Sequence, residues 1–90
     1  MKKIVVAYDI TDDRRRNKIF KEMKSWGERV QYSVFECVLN EEQITKMIDK
    51  LKRKIDFKVD SIRIYFLDNN SRIEIIGEGK PVEYDDTYVI

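Results

Sequence analysis

Apolar positions along this chain recur with two periods, and the switches between them mark out the elements. Residues 4–8, IVVAY, form an unbroken apolar run that ends in one carboxylate, Asp9. A run of β-branched and aromatic residues without Gly or Pro reads as a strand. Ile4, Val6 and Tyr8 alternate with Val5, Ala7 and Asp9. Both faces are apolar up to the last position, so a central strand covered on two sides is expected. The period then lengthens. Ile19, Phe20, Met23 and Trp26 fall on one face of a helix, expected over about residues 12–26. Thr11 and Asp12 are N-cap residue types, Asp12 and Asp13 suit the positive end of a helix, and Gly27 is a stop signal.

Residues 29–39, RVQYSVFECVL, are β-branched and aromatic and must be extended. No Gly or Pro decides between one long strand and two strands bent near Tyr32 and Ser33. The next period is helical again. Ile44, Met47, Ile48 and Leu51 share a face, Asn40 caps it, Glu41 and Glu42 occupy the first turn, and Lys52, Arg53 and Lys54 the last. A helix from Glu41 to about Lys54 follows. Ser61–Leu67 (SIRIYFL) alternates as a strand, Asp68, Asn69, Asn70 and Ser71 form a turn, and Arg72–Ile76 is a short further strand ended by Gly77 and Gly79.

With the middle stretch split, the first six elements read βαββαβ. That is an α+β, ferredoxin-like sandwich in a single domain over residues 1–90, with its core over about residues 1–67. The last strand is extra, and an exposed edge seeks a partner. A symmetric homodimer is expected, this strand adding to the sheet of the second copy.

Ninety residues bury a small core, which pairing with a second copy would enlarge. Charged residues make up 39% of the chain, yet the net charge is only +1, so any nucleic-acid contact must come from a local patch. Such a patch exists. Residues 12–29 carry seven basic and four acidic side chains, whereas residues 73–90 carry one basic and five acidic ones. The first segment suits phosphates and the second a protein partner.

There is no histidine, which removes Ser-His-Asp triads, histidine general bases and histidine metal sites. The single cysteine, Cys37, can form neither an internal disulfide nor a zinc cluster and reads as a small core residue. No apolar run approaches the roughly 18 residues needed to span a bilayer. No signal peptide is visible, so no membrane partner and a cytoplasmic location are expected.

The remaining chemistry centres on Asp9, where a strand gives out just before a helix. A lone strand-end aspartate is ordinarily a cap or an ion-pair partner. In a two-fold dimer, two copies of Asp9 near the axis would repel, and a divalent cation would relieve the repulsion. Magnesium suits such a site, because it takes one or two carboxylates and fills its shell with water and phosphate oxygens. It would activate water and stabilise phosphoryl charge. Arg16 lies on the inward face of the first helix, one turn before Ile19 and Phe20. It needs an anion there, either Asp9 or a bound phosphate. Arg14, Lys18 and Lys21 share an outward stripe, read equally as a solvated face or a phosphate contact. Tyr8 points away from Asp9 and is either structural or packs on a sugar or base.

These residues resemble a known family. VVAYDITDDRRRNKI (residues 5–19), GERVQYSVFEC (residues 27–37) and IRIYFL (residues 62–67) together are similar to the CRISPR-associated adaptation proteins called Cas two, small partners of the Cas one integrase. The resemblance implies a ferredoxin-like homodimer in which Asp9 binds Mg²⁺ or Mn²⁺ at the dimer interface, with Arg16 assisting. It implies a metal-dependent nuclease acting on single-stranded RNA or double-stranded DNA, and an adaptor holding protospacer DNA in the integrase complex. By position, Arg14, Arg15, Arg16 and Lys18 match the basic helix start, and Arg29 and Phe35 match the middle block, with Tyr8 and Ser33 in support. The tail after Gly77 matches a segment that contacts the integrase. The adaptor role is the preferred reading, with metal-dependent cleavage as an in vitro property. The alternative is a non-catalytic ferredoxin-like module that regulates or binds another protein.

Overall fold

The first strand, β1 (Lys2–Asp9), lies in the middle of a five-stranded antiparallel sheet. The computed structural model describes residues 1–67 and 72–77. After β1 come α1 (Asp13–Met23), β2 (Glu28–Gln31), β3 (Val34–Leu39), α2 (Glu41–Lys52), β4 (Ser61–Phe66) and β5 (Arg72–Gly77). The sheet order is β2-β3-β1-β4-β5, the βαββαβ arrangement with one added strand. The stretch left open in the sequence is two strands. They break at Tyr32 and Ser33 and carry an irregular register between Arg29 and Gln31.

Both helices begin where capping chemistry allows. The Asp12 carboxylate accepts from the Arg15 backbone N–H at 2.9 Å. Asn40 and Gln43 form a reciprocal capping box, with bonds of 2.8 and 2.9 Å. Each helix stops earlier than its apolar period suggests: α1 at Met23 rather than Trp26, and α2 at Lys52 rather than Lys54. After Met23 the chain tightens, and the amides of Trp26 and Gly27 both donate to the Met23 carbonyl. Gly27 then runs against β3. A Cβ there would sit 2.5 Å from the Cys37 sulfur and collide with the Glu36 carbonyl. Its need is therefore close backbone approach, a stronger constraint than helix termination.

The helices pack on one face of the sheet. Ile4, Val6 and Tyr8 of β1, Phe35, Cys37 and Leu39 of β3, and Ile62, Ile64 and Phe66 of β4 point into this layer. They meet Ile19 and Met23 of α1 and Ile44, Met47 and Leu51 of α2, with Phe20, Trp26 and Ile48 at the margin. Each such side chain contributes about 1.5–3 kcal/mol on leaving water. Cys37 is buried as expected, and burial pushes its thiol up to about 11.

The expectation that β1 is covered on two sides holds for only one side of a single chain. Val5 and Ala7 of β1, Val34 and Val38 of β3, Tyr65 of β4 and Ile73 and Ile75 of β5 lie on the opposite face, and none is buried. The extra strand is present as expected. β5 pairs along its whole length with β4 of its own chain and sends Ile76 into the core. Only its outer edge is left without a strand partner among the described residues. The turn expected at residues 68–71 and the acidic tail after Gly77 lie outside the described residues.

Candidate functional site

Asp9 ends β1 on the open face of the sheet, in the same alternation as Val5 and Ala7 and opposite Ser61 of β4. Its side chain is exposed and has no hydrogen-bond or ion-pair partner among the described residues. It lines a cleft of roughly 670 Å³ together with Tyr8, Ile10, Asp13, Arg16, Asn17, Phe20, Arg29, Tyr32 and Ser33. The strand end, the start of α1 and the β2–β3 bend therefore meet at one mouth.

Tyr8 faces away from Asp9, as alternation requires, and is buried and tied to the β2–β3 bend. Its amide donates to the Ser33 carbonyl at 3.0 Å, its hydroxyl to the Tyr32 carbonyl at 3.5 Å, and its ring stacks on Phe35 at 6.3 Å. Burial raises its pKa, against the nearby positive charges of Arg29 and Arg16. Phe35 has no exposed surface, so it supports the cleft from beneath through Tyr8 and Phe20.

Arg16 reaches the cleft, but its anion is Asp13, one helical turn back, and not Asp9. Its other terminal nitrogen donates to the Ile10 carbonyl at 3.4 Å. An i,i+3 carboxylate on the same helix is simply nearer than one on a strand end. Arg29 lines the cleft, its guanidinium carbon 5.0 Å from the centre of the Phe20 ring and 6.0 Å from that of Tyr32. Such placement is attractive for a cation over a ring.

Arg15, which by position matches the basic helix start, is bound instead to a carboxylate of its own chain. Its Nε donates to Asp60 Oδ2 at 2.7 Å and its Nη2 to Oδ1 at 3.2 Å. Asp60 is wholly buried and also accepts from the amides of Thr11 and Asp56. Burial works to raise its pKa, but Arg15 and the two amides outweigh it and hold the carboxyl down at about 2. The reason Arg15 turns to Asp60 is angular. Successive helix residues turn by about 100°, so Arg15 leaves the stripe that holds Arg14 and Lys18. Arg14, Lys18 and Lys21 are exposed on α1 and make no salt bridge among the described residues, although Arg14 lies near enough to Asp12 to join the Arg15 amide in lowering its pKa.

The sequence pointed neither to Asp60 nor to the exposure of Tyr32. Asp60 is one loop acid among several, and its partner is 45 residues away. Tyr32 gave a faint signal, since an aromatic at a bend has no face to bury.

A divalent cation can be tested against this donor set. The described residues of one chain contain no group of three or more His, Cys, Asp or Glu side chains that could hold an ion. One carboxylate fits a mostly hydrated magnesium ion, and a firmer site needs a second carboxylate from another copy. If bound, the ion would supply an activated water, with Asp9 as its anchor. No helix among the described residues is long and apolar enough to cross a membrane.

This arrangement has known counterparts. Residues 1–75 match the family described as CRISPR associated protein Cas2. The chain is 39% identical over 75 residues to the CRISPR-associated endoribonuclease Cas2 2 of Thermodesulfovibrio yellowstonii, covering 83% of this chain and 82% of that protein. The crystal structure of Streptococcus pyogenes Cas2 superposes with a TM-score of 0.69 at 34% identity, over 76% of this chain and 88% of the other. A chain in a partial Cas6-RT-Cas1–Cas2 complex gives a TM-score of 0.52 at 27% identity, over 78% and 82%. The family match over residues 1–75 and these identities place the chain in the CRISPR-associated Cas2 family.

Proposed function

We propose that this chain acts as a homodimer that grips double-stranded protospacer DNA and docks a Cas1 integrase during spacer acquisition. The observation that carries the proposal is the outer stripe of α1. Arg14, Lys18 and Lys21 are exposed there and make no salt bridge among the described residues, whereas Arg15 and Arg16 are bridged within the chain. Unpaired cations on a rigid helix are suited to phosphates. The integrase partnership draws on the likeness to a chain in a Cas1–Cas2 complex. The dimer draws on the open sheet face, whose valines and isoleucines a second copy would cover. Because Asp9 shares that face, a two-fold axis there would bring two copies of it together, with Mg²⁺ or Mn²⁺ between them.

The test is spacer acquisition in cells, paired with duplex binding in vitro. Arg14→Glu with Lys18→Glu is expected to abolish acquisition and to flatten the salt dependence of duplex affinity, by about one unit of slope per lost phosphate contact. Normal acquisition by this variant removes the reading.

A second reading is metal-dependent cleavage of RNA or DNA at Asp9. It is favoured by a partnerless carboxylate in a cleft that also holds Arg16 and Arg29. The endoribonuclease name of the Thermodesulfovibrio relative agrees with it. Cleavage that survives Asp9→Asn in purified protein discards it.

A further inference from the structure

Phosphate gripping and metal binding leave one side chain at the cleft without a task. Tyr32 is the most exposed large hydrophobic side chain described, at 89%. The backbone beneath it is fixed, because Tyr8 donates to the carbonyls of both Tyr32 and Ser33. Its ring stands at the mouth of the cleft, beside the Arg29 guanidinium 6.0 Å away. Asp9 and Arg16 occupy the same cleft. One part of this cleft thus offers charge and another offers a free aromatic face.

We propose that Tyr32 is a stacking platform for one unpaired base of a single-stranded nucleic acid whose phosphates pass Arg29. Every base has a π-face, so a ring with a cation beside it accepts any unpaired nucleotide, in RNA or DNA. A duplex keeps its bases stacked on one another and presents no such face inside the strand. Tyr32 would therefore let this cleft discriminate an unpaired segment from paired DNA. The proposal rests on the reading of this region as a nucleic-acid site.

Fluorescence anisotropy tests it with four labelled probes: an oligothymidylate, an oligouridylate, an abasic strand of equal length and a DNA duplex. Tyr32→Ala is expected to weaken both base-bearing single strands by roughly tenfold or more and to leave duplex affinity unchanged. Tyr32→Phe, which keeps the ring, should match the parent protein. The parent should bind the abasic strand as weakly as Tyr32→Ala binds oligothymidylate. A loss confined to one sugar type assigns the platform to that nucleic acid. Unchanged single-strand binding by Tyr32→Ala overturns the proposal, as does an equal loss in Tyr32→Phe or a parallel loss on the duplex, which points to a protein contact or dimer packing. The underlying reading fails differently: the parent protein then binds none of the four probes.

Discussion

Arg15 and Asp60, 45 residues apart, close a two-bond bridge in which a wholly buried carboxylate meets a partly exposed guanidinium at 2.7 and 3.2 Å. The same carboxylate also takes the amide of Thr11, just past β1, and the amide of Asp56, in the loop after α2. One side chain thus ties the segment after Asp9, the start of α1 and the entry to β4. Asp60→Ala would strand two amides and a guanidinium, at a cost of about 2 kcal/mol or more. For a domain this small, that is a fall in Tm of roughly 10 °C. Thermal melts followed by circular dichroism measure it, and an unchanged Tm shows that Asp60 is dispensable.

Acid should act on the same group. The folded-state pKa of Asp60 is held at about 2, below its ordinary value of 3.8. A depressed carboxyl stabilises the fold above its unfolded pKa and loses that contribution as pH falls toward the folded one. Urea midpoints of the parent protein should therefore drop between about pH 4 and pH 2. Asp60→Asn should show a lower midpoint at neutral pH and a shallower fall across this window. Parallel curves would assign the acid sensitivity to other carboxyls.

Gly27→Ala is expected to be more harmful than its size suggests. The new methyl group would meet the Glu36 carbonyl and the Cys37 sulfur, and a paired strand carbonyl cannot swing aside. Overpacking of this kind costs about 1–3 kcal/mol. Chemical denaturation should show the loss, and a neutral result would mean that β2 and β3 slide apart easily.

Asp9→Asn should behave in the opposite way. Asp9 is exposed and partnerless, so stability should change by no more than about 0.5 kcal/mol. Any rise in Tm on adding Mn²⁺ to the parent protein should vanish in the variant, because only ions bound to the folded state stabilise it. A manganese-induced shift that survives the change places the ion elsewhere.

Local pattern was enough for both helices, the strand after the second, and the central position of β1, while residues 29–39 read as extended without showing the break at Tyr32 and Ser33. Ile4, Val6 and Tyr8 alternate cleanly, and Asn40 stands one residue before a helical period with Gln43 completing the cap. What escaped was pairing at a distance. The basic run at residues 14–16 looked like one patch, yet its three arginines have three different surroundings: solvent, Asp60 and Asp13. Side-chain partners depend on which loop the fold brings alongside, and no period encodes that. The coverage of β1 was misread for a related reason. An apolar alternation does not say what covers a face, and within one chain the helices cover only one face of the sheet.

The placement of β1 has a consequence for synthesis. β1 leaves the ribosome before both of the strands that flank it, β3 on one side and β4 on the other. Its second flank does not exist until residues 61–66 have been made. A nascent or prematurely terminated chain that ends before β4 carries an apolar strand with one bare edge, the kind of surface that recruits strands from neighbouring polypeptides. Translation must therefore run through β4 before β1 gains its second flank, and stalled products are natural clients for chaperones and proteases.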